Sequence, residues 1–170
     1  NPNLTRPVRY RKTLDIDDSD RPDSTGCTAL TGVAWHGHNE LARLLLDSKA
    51  DPNIVQQHRR MPPLGWAILR GHPEVAKELI DHGSDVNFRT AEDETPVFLA
   101  TGRGDTRSLE LLIRKGANVN DGPRRDPYNG WTPLICASSS GQAETVAILL
   151  ANAANVNAQC CDRGVTALMR

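Results

Sequence analysis

The stretch that decides the fold runs from Gly130 to Asn157. It opens Gly130-Trp131-Thr132-Pro133-Leu134, continues through Gly141-Gln142-Ala143-Glu144-Thr145 and Ile148-Leu149-Leu150, and closes on Ala154-Asn155-Val156-Asn157. Each part has a mechanical reading. Thr132 stands where a hydroxyl accepts from the free backbone N–H groups of a first helical turn. Pro133 follows at the first helical position, where its missing N–H costs nothing. Gly141 marks the end of that helix, where the chain reverses through a left-handed conformation. A second apolar helical stripe follows, and the Asn-rich tail reads as a turn leading into a short hairpin.

The same sentence is written three more times upstream. The first copy has Gly26-Cys27-Thr28-Ala29-Leu30, Gly37-His38-Asn39-Glu40-Leu41 and Leu44-Leu45-Leu46. The second has Pro62-Pro63-Leu64, Gly71-His72-Pro73-Glu74-Val75 and Leu79-Ile80. The third has Thr95-Pro96-Val97, Gly104-Asp105 and Leu111-Leu112-Ile113. A partial fifth copy opens at Gly164-Val165-Thr166-Ala167-Leu168. The aligned residues Leu30, Leu64, Val97, Leu134 and Leu168 are spaced by 34, 33, 37 and 34. Matching tails end at Asn53, Asn87, Asn120 and Asn157, and Asp15-Ile16-Asp17 reads as one more.

This pattern resembles the ankyrin repeat, with its period of about 33 residues. The resemblance covers roughly residues 15–170 and implies an all-α solenoid: stacked helix–turn–helix units joined by short β-hairpins or loops. The repeats fall at about 24–56, 57–90, 91–127 and 128–160, with a partial unit at 161–170. Residues 1–14 read as an extension or worn cap. The chain stops within the first helix of a repeat, which suggests a segment of a longer protein. Two departures stand out. The His of the family's Thr-Pro-Leu-His signature is replaced by Thr31, Gly65, Phe98, Ile135 and Met169, and Pro62 stands where Thr is expected. Some of the family's hydrogen bonds are therefore missing, which implies a modestly stable stack. Gly32 stands where the family has a buried Leu, and Trp66 is expected to pack toward the space it leaves.

Composition narrows the function classes. Of the 170 residues, 20 are basic and 21 acidic, for a net charge of −1, so no bulk field gathers nucleic acid. No run approaches the roughly 18 apolar residues of a membrane span. Cys27, Cys136, Cys160 and Cys161 form no Cys-x-x-Cys pair, and free thiols in a reducing, intracellular compartment (cytoplasmic or nuclear) are expected.

The chemistry-bearing motifs fail one by one. Asp15, Asp17, Asp18, Asp20 and Asp23 lack the Gly and Glu of a calcium loop. His36, His38 and Cys27 lack a second pair of zinc ligands. Cys136 sits at a core position, where a thiol is inert. No enzyme, cofactor or metal site is expected.

The resemblance implies binding of a protein partner through hairpin tips and the exposed side of each first helix. The chain itself is expected to be a monomeric scaffold. An alternative is a regulatory or targeting segment of a larger enzyme or signalling protein. The candidate contact residues are Trp35 and His36; His58, Arg59, Met61 and Arg70; Glu92, Glu94 and Arg103; and Arg124, Arg125, Tyr128 and Trp131. The last four follow from the longer spacing between the third and fourth copies, since insertions in repeats map to loops, often on the binding face. Arg, Tyr and Trp are also the residue types enriched at binding hot spots. The competing reading is a tolerated surface insertion, with Trp131 leaning on neighbouring hairpins.

Overall fold

In the computed structural model the caps form where the sequence places them. Thr28, Thr95 and Thr132 are extended and accept from the backbone N–H of Thr31, Phe98 and Ile135. The helices they start are α1 (Ala29–His36), α5 (Pro96–Arg103) and α7 (Pro133–Ser139); α3 (Pro63–Arg70) begins behind Pro62 without a side-chain cap. Each is followed by a partner running back: α2 (Asn39–Asp47), α4 (Pro73–Asp81), α6 (Thr106–Arg114) and α8 (Ala143–Ala151). A two-stranded antiparallel ribbon, β1 (Gln159–Cys160) and β2 (Val165–Thr166), closes the described chain. The structure describes residues 26–57, 59–125, 130–160 and 165–166. The extension at 1–14, the Asp15–Asp17 tail, the helix of the partial fifth repeat, His58 and Tyr128 lie outside them.

The helices stack in two layers. The inner one runs α1, α3, α5, α7 and the outer one α2, α4, α6, α8, each helix touching its neighbour in the layer and its partner in the repeat. Their shared core holds Leu30, Leu64, Val97 and Leu134 from the aligned position, with Leu79, Leu112 and Leu149 from the second helices. One register position shows how stacking buries a residue. Val75, Ser108 and Thr145 are buried, whereas Leu41, at the same place on α2, is 49% exposed.

Two local solutions differ from the family pattern. Thr31, in place of His, closes a capping box with Thr28, so the first repeat recovers a cap bond. Gly32 does not receive Trp66: nothing among the described residues lies within 4 Å of a Cβ placed there. The Trp66 indole turns instead edge-on to Trp35, with ring centroids 5.2 Å apart.

The backbone also repeats a feature hidden in the residue types. Gly26, Arg60, Asp93 and Gly130 all have positive φ, one per hairpin tip. Lys49, Gly83, Gly116 and Ala153 do the same at the end of each second helix. Only glycine adopts this conformation without strain, so Arg60, Asp93, Lys49 and Ala153 are held there by the surrounding fold.

Side chains cross from repeat to repeat. Asn53 donates to the Gly83 carbonyl and accepts from the Asp85 N–H (3.1 and 2.8 Å). Asn120 repeats the link to Ala153 and Asn155 (3.3 and 2.7 Å). The tail asparagines therefore set the stacking register.

Candidate functional site

The inner helices and hairpin tips lie along one side of the stack, and most of the sequence-derived candidates fall there. The first three inner helices end at the same register, on His36, Arg70 and Arg103, and Ser140 follows the end of α7 at that position. His36 is exposed, its ring 5.8 Å from that of His38. Arg70 lies half-buried over the Trp35 ring, its guanidinium carbon 4.2 Å from the centroid, a cation–π contact. Arg103 reaches back one repeat and donates from Nη1 to the Leu69 carbonyl at 2.9 Å, capping the end of α3. His72 does the equivalent for α1, its Nε2–H donating to the Trp35 carbonyl at 3.2 Å.

This arrangement is electropositive. The His72 imidazole is held below its ordinary pKa, first by burial and then by the nearby charges of Arg70, Arg103 and His36, against the opposing pull of the Trp35 carbonyl.

The hairpin tips are buttressed. Ala91 donates to the Arg59 carbonyl at 2.8 Å, and the Ala91 carbonyl accepts from Arg125 Nη1 at 3.1 Å, so successive tips are strung together. Arg89 pairs with Asp93 and with Asp121 across the boundary between the third and fourth repeats. Arg124 donates its N–H to Asp93 Oδ2 at 2.9 Å and pairs with Asp121 at 3.2 Å. The start of the longer connection therefore folds onto the preceding hairpin, while the Arg124 and Arg125 side chains stay exposed.

Three candidates sit elsewhere than a surface anchor would. Trp35, Met61 and Trp131 are 3%, 1% and 3% exposed. Met61 packs against the bare backbone of Gly65 beside Phe88. Trp35 is covered by Arg70 and Trp66. Buried side chains have little area left to offer, so these three belong to the core rather than to the exposed surface. Arg59 is half-buried, 6.0 Å from the Trp66 centroid, and Glu92 is exposed.

Arg60, which the sequence reading did not single out, and Glu94, which it did, both lie on the hairpin tips. Arg60 is exposed at a tip, next to the recognised Arg59. Glu94 is 7% exposed, and burial, then Glu92, push its carboxyl up to about 7 against the pull of Arg59. Of the Glu92-Asp93-Glu94 run, the fold of the hairpin turns the last member inward.

Cys136 is buried and its thiol is pushed up to about 12 by burial and then by Glu94, so it stays protonated and unreactive at neutral pH. Among the described residues, no group of three or more His, Cys, Asp or Glu is placed to hold a metal ion. Nor is any described helix long and apolar enough to cross a membrane.

Comparison with known proteins agrees with this geometry. A family model described as "Ankyrin repeats (3 copies)" matches residues 30–123 and 64–160. The chain is 30% identical over 116 residues to "Palmitoyltransferase AKR1" of Candida albicans, covering 68% of this chain and 13% of that protein. It is 40% identical over 96 residues to "Ankyrin repeat and KH domain-containing protein 1" of Homo sapiens, covering 55% of this chain and 4% of that protein. It is 31% identical over 123 residues to "E3 ubiquitin-protein ligase XBAT32" of Arabidopsis thaliana, covering 68% of this chain and 23% of that protein. The chain thus spans less than a quarter of the length of these relatives. Ankyrin repeats generally serve as protein-interaction modules. On the matched repeats and the stack they build, the chain belongs to the ankyrin repeat family.

Proposed function

We propose that the chain is a protein-interaction scaffold whose partner lies along the face formed by the hairpin tips and inner helices. One observation carries the reading. His36, Arg70 and Arg103 share one register on the inner helices, Arg59, Glu92, Arg124 and Arg125 are exposed or half-exposed along the hairpins, and Trp35, Met61, Trp66 and Trp131 are buried. A rigid row of arginines above packed aromatics is the composition of a binding hot spot. Tyr128 is counted with this face from the sequence alone. The scaffold is read as monomeric and intracellular, with reduced cysteines. Its partner is read as protein rather than nucleic acid.

A second reading is favoured by the relatives named as a palmitoyltransferase and a ubiquitin ligase, in which the match is a minor part. On that reading the repeats regulate or target a larger protein. Both readings place the partner on the same face.

The test is affinity capture with the full chain, an Arg124→Ala/Arg125→Ala variant and an outer-face control, Arg43→Ala. Partners identified by mass spectrometry should be lost with the double variant and kept with the control. Equal recovery by all three chains sinks the proposed face.

A further inference from the structure

Charge is divided unevenly between the two layers. The inner helices contain no Asp or Glu at all; their charged residues are Arg70 and Arg103, with His36 in the same register. The outer helices carry seven acidic residues against four basic ones, so the surplus negative charge sits on the opposite side. Arg107 and Lys115 of the outer side pair with Glu74 and Asp81 of the preceding repeat. Arg70 and Arg103 have no carboxylate within ion-pair distance among the described residues.

These two cations are also fixed in place. Arg70 lies over the Trp35 ring, and Arg103 is tethered through one N–H to the Leu69 carbonyl. A guanidinium has five donors, so most remain for a ligand, in the fork that matches a carboxylate. Fixing them beforehand lowers the ordering cost of binding. At the tips, among the described residues, exposed Arg60 and Arg125 outweigh the exposed carboxylate Glu92.

The spacing adds a second constraint. Arg70 and Arg103 occupy the same register on adjacent packed helices, and such helices lie about 8–10 Å apart. A chain extended in the polyproline II form advances about 3.1 Å per residue and turns once every three residues, so side chains three residues apart share a face and span about 9 Å. We propose that the concave face binds an extended acidic segment of a protein partner, with carboxylates three residues apart seated on Arg70 and Arg103. The proposal rests on the scaffold reading above and names the chemistry of its partner.

The test is fluorescence anisotropy with the full chain and a fluorescein-labelled peptide of about 13 residues, with Glu at every third position and Ser or Thr between. A Gln-for-Glu peptide and a same-composition peptide with its Glu residues in one block serve as controls. The spaced Glu peptide should bind at least about tenfold more tightly than the Gln peptide, as two charge-assisted contacts require. It should also bind more tightly than the block peptide. Arg70→Gln/Arg103→Gln should weaken it at least about tenfold, and Arg43→Gln/Arg107→Gln on the outer layer should not.

Equal binding of the spaced Glu and Gln peptides overturns the acidic ligand, and equal binding of spaced and block peptides overturns the register. These comparisons use the unaltered chain, so they stand even if the double variant folds poorly. Tighter, Arg70- and Arg103-dependent binding of a single-stranded oligothymidylate would replace the peptide with nucleic acid. If concave-face variants lose captured partners while no Glu preference appears, the scaffold reading survives and this proposal falls. If neither effect appears, both fall.

Discussion

The two helical layers are built from the same repeat and held by different forces. In the inner layer, α3 is buried from Pro63 to Leu69 and α5 from Pro96 to Gly102. In the outer layer only four residues of α4 and three of α6 are buried, and neighbouring repeats meet through exposed ion pairs such as Arg107–Glu74 at 3.0 Å. Burial of apolar surface is the dominant folding force, whereas exposed pairs contribute little. Stability therefore resides in the inner layer. The same layer leaves only a thin margin of accessible residues, and that margin carries the arginines.

The contrast breaks most visibly at Trp66, which is fully buried. Trp66→Ala should cost about 3–5 kcal/mol in a urea titration. A loss under ~1 kcal/mol would mean that the inner layer is not the structural one.

Glu94 is the next largest effect, and it is pH-dependent. Its folded pKa of about 7 stands above the ordinary glutamate value of 4.5. The folded state thus favours the neutral acid, and this contribution is complete below the unfolded pKa. It is lost as pH rises through about 7, a change on the order of 3 kcal/mol. Glu94→Gln should flatten this window in melts from pH 4 to pH 9 and stabilise the chain at the alkaline end. A parallel pH profile for both chains would show that the carboxyl is not desolvated.

Gly83 sharpens the comparison from the outer side. Nothing lies within 4 Å of a Cβ added there, so Gly83→Ala tests its φ of +89° alone and should cost about 1 kcal/mol. Smallest of all, Arg107→Ala should change stability by ~0.5 kcal/mol or less, since its side chain is 75% exposed. A value near that of Trp66 would erase the distinction between layers.

The fold was legible because its signals are local. Thr132, Pro133 and Gly141 act within one turn of themselves, and their recurrence supplies the period. What escaped depends on residues a repeat away. Arg60 and Asp93 hide a left-handed tip because the tertiary frame, rather than a glycine, imposes it. Trp66 was expected opposite Gly32, yet it meets Trp35, which no spacing rule encodes. Within the candidate site, residue type said nothing of depth. Trp35 and Trp131 have the composition of exposed anchors and lie in the core, because burial at those positions is decided by neighbouring packing. The tether from Arg103 to the Leu69 carbonyl and the Arg70–Trp35 stack were likewise invisible to a one-dimensional reading.

The pile of Arg70, Trp35 and Trp66 has an optical consequence. An indole with a cation on its face and a second indole at its edge emits light whose colour and yield depend on both neighbours. A ligand that draws Arg70 toward itself changes that emission, with no dye attached. The molecule thus carries its own gauge of occupancy, beneath the groove it would report on.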